Sequence, residues 1–301
     1  MTSFSTIRFQ SSNPSDDTKS CHLRDSALLI DLIYQLEDGF KEGVYLMENQ
    51  WADKIDSVRS GQDGFVDFSY ETISSSGAHS SIPYHDINRA NQLVEPDKVY
   101  LLDTGARYTN GTCDIARTFW HLNPTPDFIH RNTLVLKGHI TLAMTKFPDL
   151  MWAINLDTMA RWNLWQVGLE FGFGDSVGPD LYAVHKRRDE EEISLEERIK
   201  EGQVLTIGPG YYCKDYGIRI ENCYEVVKTE VESGATDFLA FQPLTLVPIQ
   251  TSIIDKSLLT KVELKWLNNY HDRVVEEVGA CLNELGKESA RLWLKKACKH
   301  I

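Results

Sequence analysis

The chain lacks several features that would have narrowed its role at once. No apolar run approaches the ~18 residues that a membrane-crossing helix needs, so no span is expected. Its six cysteines (Cys21, Cys113, Cys213, Cys223, Cys281, Cys298) include no Cys-x-x-Cys pair. In a chain of 301 residues that scatter reads as free thiols in a reducing cytosol, not as a disulfide framework or a zinc site. Basic charge is also scarce: 31 Lys and Arg face 44 Asp and Glu, for a formal net charge of −13. Nonspecific nucleic-acid binding needs a basic surplus, so nucleic acid is not an expected partner. The start, Met-Thr-Ser-Phe-Ser-Thr-Ile-Arg-Phe-Gln, shows no charged region followed by an apolar core, so no secretory leader is expected. The expected location is cytoplasmic, with no membrane partner. No internal repeat or low-complexity linker interrupts the chain.

What is present is ordinary globular composition, 42% hydrophobic and 25% charged, at a length that can bury one large core. Residues 1–20, rich in Ser, Asn and Asp, are expected to be disordered or irregular, and 21–301 to form a single domain. From Arg24 onward, Leu28, Leu29, Leu32, Ile33 and Leu36 recur at helical spacing, and a second helical stretch runs to about Arg59. A strand is expected from Phe65 to Phe68, a small-residue turn over 74–78, and a turn over 95–98 that launches a strand at 99–102. Helices are expected over 127–145 and 156–167, then a glycine-dense loop at Gly172, Gly174 and Gly178. No Lys-Ser/Thr follows those glycines, so they are not read as a phosphate loop. A capping-box pattern begins at Ser194. Strands over 204–206 and 217–227 and a pair of helices over 258–296 complete the reading.

Two segments carry the chemistry. Tyr-Leu-Leu-Asp103-Thr-Gly-Ala-Arg-Tyr-Thr-Asn-Gly-Thr-Cys-Asp114 sets two aspartates eleven residues apart across a glycine-containing hairpin. Pro-Gly-Tyr-Tyr-Cys-Lys-Asp-Tyr-Gly-Ile-Arg219-Ile-Glu221 ends in a third carboxylate. In order and motif the chain resembles the creatinase, prolidase and methionine aminopeptidase superfamily. More narrowly it is similar to the catalytic domain of eukaryotic cytosolic Xaa-Pro aminopeptidase. The closest motifs lie at 99–108, 136–140, 217–222, 241–250 and 266–271, and the resemblance covers roughly residues 22–295. It implies an α+β pita-bread fold, a curved antiparallel sheet covered by helices. It also implies two divalent ions, usually manganese, held by two aspartates, a histidine and two glutamates. Hard carboxylates suit such cations, and a water bridging them becomes a hydroxide nucleophile near neutral pH. Full-length members carry further N-terminal domains, which this chain is expected to lack.

Asp103 and Asp114 match the two aspartates and Glu221 the last glutamate. The remaining positions depart from the pattern. Where the family has a His-Gly-x-Gly-His-Gly run, this chain reads Phe171-Gly-Phe173-Gly-Asp175-Ser, so Asp175 stands at the metal-binding histidine and Phe171 at the one before it. Gly208 stands where the other glutamate belongs, and Pro83 stands where a substrate-facing histidine would precede Tyr84, with His79 and His85 close by. His185 matches a family histidine but is followed by Lys186-Arg187-Arg188. The resemblance therefore implies Asp103, Asp114, Asp175, Glu221 and His185 as the catalytic group. His85, Phe171, Phe173 and Arg219 would contact substrate, with Arg219 alternatively a buttress for Glu221. Asp103, Asp114 and Glu221 would hold a single divalent ion (Mn, Mg or Fe), or the site would hold none.

Four carboxylates in one pocket repel. Either some turn to solvent or pair with Arg219 or Lys186, or the pocket receives a cation, or one carboxyl keeps a proton and serves as a general acid. Three functions stay open: a repurposed enzyme acting on a small molecule such as an amine or amino-acid derivative, a non-catalytic binding module, and a residual Xaa-Pro aminopeptidase. The changes concentrate on the expected pocket while the supporting segments are kept, which ranks the first ahead. A homodimer through the C-terminal region is also expected. The segment 241–250 and the helices around Trp266 resemble the family's pairing region, and Leu264, Leu267, Leu282, Leu292 and Leu294 exceed one buried stripe.

Overall fold

The computed structural model describes residues 16–82, 91–171, 184–185, 198–234 and 237–301. The N-terminal part is α1 (Asp16–Glu42) and α2 (Glu48–Ser60), followed by strands β1 (Phe65–Phe68) and β2 (Ile73–Ser76). The hairpin β3 (Tyr100–Tyr108) and β4 (Gly111–Phe119) comes next, then α3 (Pro126–Ala143), β5 (Phe147–Pro148) and α4 (Ala153–Trp165). The strands β6 (Val184–His185), β7 (Val204–Ile207), β8 (Gly210–Tyr212), β9 (Gly217–Arg219), β10 (Asn222–Lys228) and β11 (Phe238–Pro243) follow. Helices α5 (Lys261–Arg273), α6 (Gly279–Glu284) and α7 (Glu288–Ala297) close the chain.

Every pairing among these strands is antiparallel, and helices cover the sheets, which makes the architecture α+β. One sheet is built on β3, with β4 on one edge and β1 and β2 sharing the other. A second runs β5-β11-β10-β7-β6, and β8 pairs with β9. Helix α3 starts cleanly because the Thr125 hydroxyl accepts from the Phe128 amide and Pro126 takes the first helical position. Its Gly138 lies against α4 so closely that a Cβ there would overlap the Ala160 carbonyl. The core between helices and sheets is dominated by Ile30, Ile33, Leu136, Ile140, Phe147 and Tyr224, all nearly or fully buried.

Three expectations are corrected. Helix α1 begins at Asp16, inside the stretch expected to be irregular, because the Thr18 hydroxyl donates to the Asn110 carbonyl (3.1 Å) and Cys21 packs against Cys113. The serines at 74–76 form a strand, not a turn: they are fully buried opposite Leu102, Leu101 and Tyr100, and the Ser74 hydroxyl lies 2.9 Å from that of Tyr100. Small side chains suit a strand pressed under a helix. Third, Leu267, Leu282 and Leu294, counted toward a subunit contact, are buried in the chain's own core; Leu264 is half-buried and only Leu292 of the five is exposed. These helices are a run of α5, a π-helical turn at Val274–Val278 and α6, with α7 folded back beside them. Among the described residues no helix is long and apolar enough to cross a membrane.

Four histidines set the acid limit of this fold. Burial lowers His139 to about 3, with the Arg117 charge adding to the effect, and lowers His22, His271 and the largely buried His121 to about 4. The His139 ring donates to the Ile220 carbonyl (3.1 Å) and accepts from the Tyr224 hydroxyl (2.7 Å), which suits the neutral form. In the unfolded chain these rings titrate near 6.5. Below that pH the unfolded state takes up protons that the folded state refuses, so their contribution is complete above pH 6.5 and is lost as pH falls. Each ring removes about 1 kcal/mol over the first pH unit below 6.5 and approaches roughly 1.4 kcal/mol per unit beneath it. Glu37 and Glu225, whose carboxyls burial pushes up, act oppositely nearer their own range, so the decline should be clearest between pH 6.5 and about 5.5. Urea midpoints measured across that interval should drop steadily; a level or rising midpoint would contradict neutral burial of these rings.

Candidate metal centre

Strand alternation puts the two aspartates on one face. In the β3–β4 hairpin Asp103 faces Ala116 and Gly105 faces Asp114, so the carboxylates are diagonal neighbours. Glu221 reaches them from another part of the chain. Its backbone forms an isolated bridge with Ala116, through Glu221 N to Ala116 O (3.0 Å) and Ala116 N to Glu221 O (3.3 Å). That bridge brings the third carboxyl to the same face. Ligand atoms of Asp103, Asp114 and Glu221 all lie within 4.8 Å of one another, and all three residues are buried.

Two tyrosines and an arginine complete the surroundings. Residues 69–72 lie between β1 and β2, and Ser69 docks there by donating its amide to the Gly105 carbonyl (3.0 Å) and its hydroxyl to the Cys113 carbonyl (3.2 Å). A side chain at Gly105 would forbid this, because its Cβ would sit 2.9 Å from the Ser69 hydroxyl and 2.5 Å from the Cys113 carbonyl. The docking delivers the Tyr70 hydroxyl between the aspartates, 2.5 Å from one oxygen of each. The Arg219 guanidinium pairs with the other Asp103 oxygen and donates through Nε to the Tyr212 hydroxyl (2.6 Å). Burial pushes the Tyr212 hydroxyl up, so it stays protonated at neutral pH. Arg219 therefore buttresses Asp103.

The donor set fits a hard divalent cation. Three carboxylates facing one guanidinium leave two negative charges when ionised, the charge of one such ion. Gly208 brings no side chain, and the Glu221 carboxyl rests against its bare Cα: a Cβ there would lie 2.6 Å from Glu221 Cδ.

Of the expected site residues, Asp103, Asp114, Glu221 and Arg219 come together. Phe171, expected to contact substrate, is 1% exposed and belongs to the hydrophobic core, with the Arg161 guanidinium 3.9 Å from its ring centre. A ring enclosed on that scale has no open face for a substrate. Asp175, Phe173 and His85 lie outside the described residues, as does the His185 side chain; only the backbone of His185, in β6, is placed. His79 holds its Nδ1 3.0 Å from the buried Glu48 carboxylate. Sequence reasoning missed Tyr70, Tyr212 and the close approach at Gly105. The only available signals were a serine-tyrosine pair between two short strands and a glycine two residues beyond Asp103.

A model of metallopeptidase family M24 matches residues 19–228, and a model of the C-terminal region of peptidase M24 matches 237–301. The chain is 47% identical over 290 residues to the Xaa-Pro aminopeptidase app-1 of Caenorhabditis elegans, covering 94% of this chain and 47% of that protein. It is 39% identical over 292 residues to Protein pid-5 of the same organism, covering 94% of this chain and 27% of that protein. Among solved structures, the X-prolyl aminopeptidase from Caenorhabditis elegans, described as a cytosolic enzyme with a di-nuclear active site, superposes with a TM-score of 0.89 at 45% identity. That match covers 95% of this chain and 47% of the other. The prolidase from Pyrococcus furiosus, with a TM-score of 0.57 at 21% identity, shares the fold. The architecture is the pita-bread fold of these peptidases. The chain spans about half or less of the length of these closer relatives.

The Arg219–Asp103 pair yields a prediction. Arg219→Met leaves a buried carboxylate without its guanidinium, and should destabilise the metal-free protein by about 3–5 kcal/mol. Added Mn²⁺ should then raise the melting temperature of the variant more than that of the unaltered chain, since a bound cation replaces the lost charge. A variant melting with the unaltered chain in the absence of metal would contradict this role for Arg219.

Proposed function

The chain belongs to metallopeptidase family M24, and from that premise we propose that it is a diverged aminopeptidase P-like protein whose carboxylate pocket serves a small molecule and not efficient peptide hydrolysis. The observation that carries this reading is the pairing of a three-carboxylate cluster with a glycine at 208, whose side-chain space the Glu221 carboxyl has taken. On this reading Asp103, Asp114 and Glu221 hold one divalent ion, manganese, magnesium or iron, in place of the di-nuclear complement that the similar nematode enzyme is described as having. The chemistry such an ion supplies is Lewis-acid polarisation of an oxygen in the pocket. The protein's own groups define the rest. Tyr70 holds a proton at its hydroxyl between Asp103 and Asp114, where it can be lent to a leaving group or returned to a carboxylate. Arg219 fixes Asp103, and the anionic surroundings favour a substrate with a positive charge, such as an amine or amino-acid derivative. The proposed location is cytosolic, in keeping with the similar enzyme.

The residual Xaa-Pro aminopeptidase is the second reading, favoured by the 47% identity to an enzyme of that name. Measured hydrolysis separates the two. With added Mn²⁺, release of the residue ahead of proline should run about 100-fold or more below that of the similar nematode enzyme, since losing a metal-binding carboxylate costs at least what losing an outer partner does. Robust, chelator-sensitive release would install the second reading. Absence of turnover on amines and amino-acid derivatives as well would favour a binding module.

We also propose a homodimer through the C-terminal region. The support is narrower than the leucine count suggested: Val262, Leu285 and Leu292, 59%, 49% and 49% exposed, are the apolar side chains these helices leave open. Light scattering at micromolar concentration should give a mass near twice the 34.3 kDa of one chain, and the single-chain mass would refute pairing.

A further inference from the structure

We propose that Tyr70 gates the carboxylate centre: its hydroxyl occupies the gap between Asp103 and Asp114 that a divalent cation needs, so the ion loads only as the hydroxyl yields. The inference rests on the single-ion reading above and deepens it by naming what regulates loading. The Tyr70 hydroxyl oxygen lies 2.5 Å from Asp103 Oδ1 and 2.5 Å from Asp114 Oδ1. Hard divalent cations sit about 2.0–2.6 Å from the oxygens that bind them. The phenol oxygen therefore stands at cation distance from one oxygen of each aspartate. Asp103 cannot turn its second oxygen to an ion instead without giving up the Arg219 guanidinium, which pairs with it. A phenol also presents its one hydrogen to carboxylates, whereas an ion in the gap needs that hydrogen out of its path.

The hydroxyl is held in the gap by the backbone around it. Ser69 is docked on the hairpin that carries both aspartates, through its amide to the Gly105 carbonyl (3.0 Å) and its hydroxyl to the Cys113 carbonyl (3.2 Å). Gly105 is the residue opposite Asp114, and Cys113 the residue before it. Beyond Tyr70, the Thr72 hydroxyl donates to Asp56 Oδ1 of α2 (2.7 Å) and lies 2.8 Å from the hydroxyl of Thr104, the neighbour of Asp103. Ser69 and Thr72 are both buried. The segment is thus pinned on either side of Tyr70 to residues next to the two ligands, and its register over them is built into the fold. A cation must work against that register. Its apparent affinity falls by the fraction of molecules in which the hydroxyl has left the gap. The hydrogen offered to a leaving group in the reading above is the same one that guards the gap.

The test is Mn²⁺ binding to the full chain, by calorimetry and by the electron paramagnetic resonance of the ion, with circular dichroism to establish folding. Tyr70→Phe keeps the ring and removes the oxygen. It should bind Mn²⁺ at least about 10-fold more tightly than the unaltered chain, the factor set by one hydrogen bond to a charged group that no longer has to be broken. Ser69→Ala keeps the phenol and loosens its anchor, and should tighten binding by about 3-fold or more. In the Tyr70→Phe background the same change should alter affinity less than about 2-fold, because no hydroxyl remains to be anchored. A general loss of stability would weaken binding, not strengthen it. An ion bound by Tyr70→Phe and not measurably by the unaltered chain also upholds the gate. Equal or weaker binding by Tyr70→Phe overturns the gate, while one bound ion leaves the single-ion reading standing; the weaker result would mark the phenol as a ligand. Two ions bound with the gain intact would overturn the single-ion reading alone, and no ion in any of these chains would overturn both. Should Tyr70→Phe lose its folded spectrum, Ser69→Ala decides: tighter binding upholds the gate, and unchanged or weaker binding overturns it.

Discussion

The guanidinium of Arg117 is the tie on which the geometry of the centre depends. It projects from β4, fully buried, and donates to the carbonyls of Ala116 (2.8 Å), Glu221 (2.8 Å), Val247 (2.8 Å) and Pro248 (3.2 Å), to Asn222 Oδ1 (2.7 Å) and to the Tyr270 hydroxyl (3.1 Å). Four segments distant in sequence, the hairpin, residues 221–222, residues 247–248 and α5, are fixed relative to one another by one side chain. Burial lowers its pKa, and taking a cation from water costs several kcal/mol. Charge-assisted hydrogen bonds at about 1.5–3 kcal/mol each offset that cost only when nearly all are made. The clamp is thus all-or-none: a shift of Glu221 or of α5 breaks bonds that the buried charge cannot lose.

Because the clamp grips the backbone of Glu221 and not its carboxyl, support and chemistry are separated. The frame behind the centre is held by Arg117, by His139 on the Ile220 carbonyl, and by the Ala116–Glu221 bridge. Side chains in front, Glu221, Tyr70 and whatever stands at 208, can change without disturbing that frame. This is the physical basis on which a pita-bread protein can keep its fold while altering its pocket. Residues 220–222 and 247–248, from the family-like segments 217–222 and 241–250, contribute backbone or side chains to that frame.

The sequence made the frame legible and hid the contacts across it. The Asp103–Asp114 spacing, the hairpin and the amphipathic helices could be read because they are local, set by alternation and by helical period. Asp103 and Asp114 fall on one face through register alone. Tyr70 could not be read, because its approach depends on Ser69 docking over Gly105, a contact between residues 36 apart in sequence. Ser74–Ser76 was misread for a related reason: serine signals turns locally, and only burial beneath α2 makes a strand of it. The C-terminal leucines show the reverse error, in which apolar excess was assigned to a partner although the chain's own core absorbs Leu267, Leu282 and Leu294. Phe171 likewise stands at a motif position, yet its ring is enclosed by the core and Arg161.

Charge then links the frame to what the pocket accepts. With Arg219 against Asp103, the three carboxylates and the guanidinium among the described residues sum to two negative charges when all are ionised. Buried excess charge of either sign is costly on the scale of several kcal/mol. A carboxylate removed from such a centre therefore changes more than one coordination bond, because it changes how many cations the surrounding protein can neutralise. Gly208 and the Glu221 carboxyl are close neighbours in that centre: a Cβ at 208 would lie 2.6 Å from Glu221 Cδ.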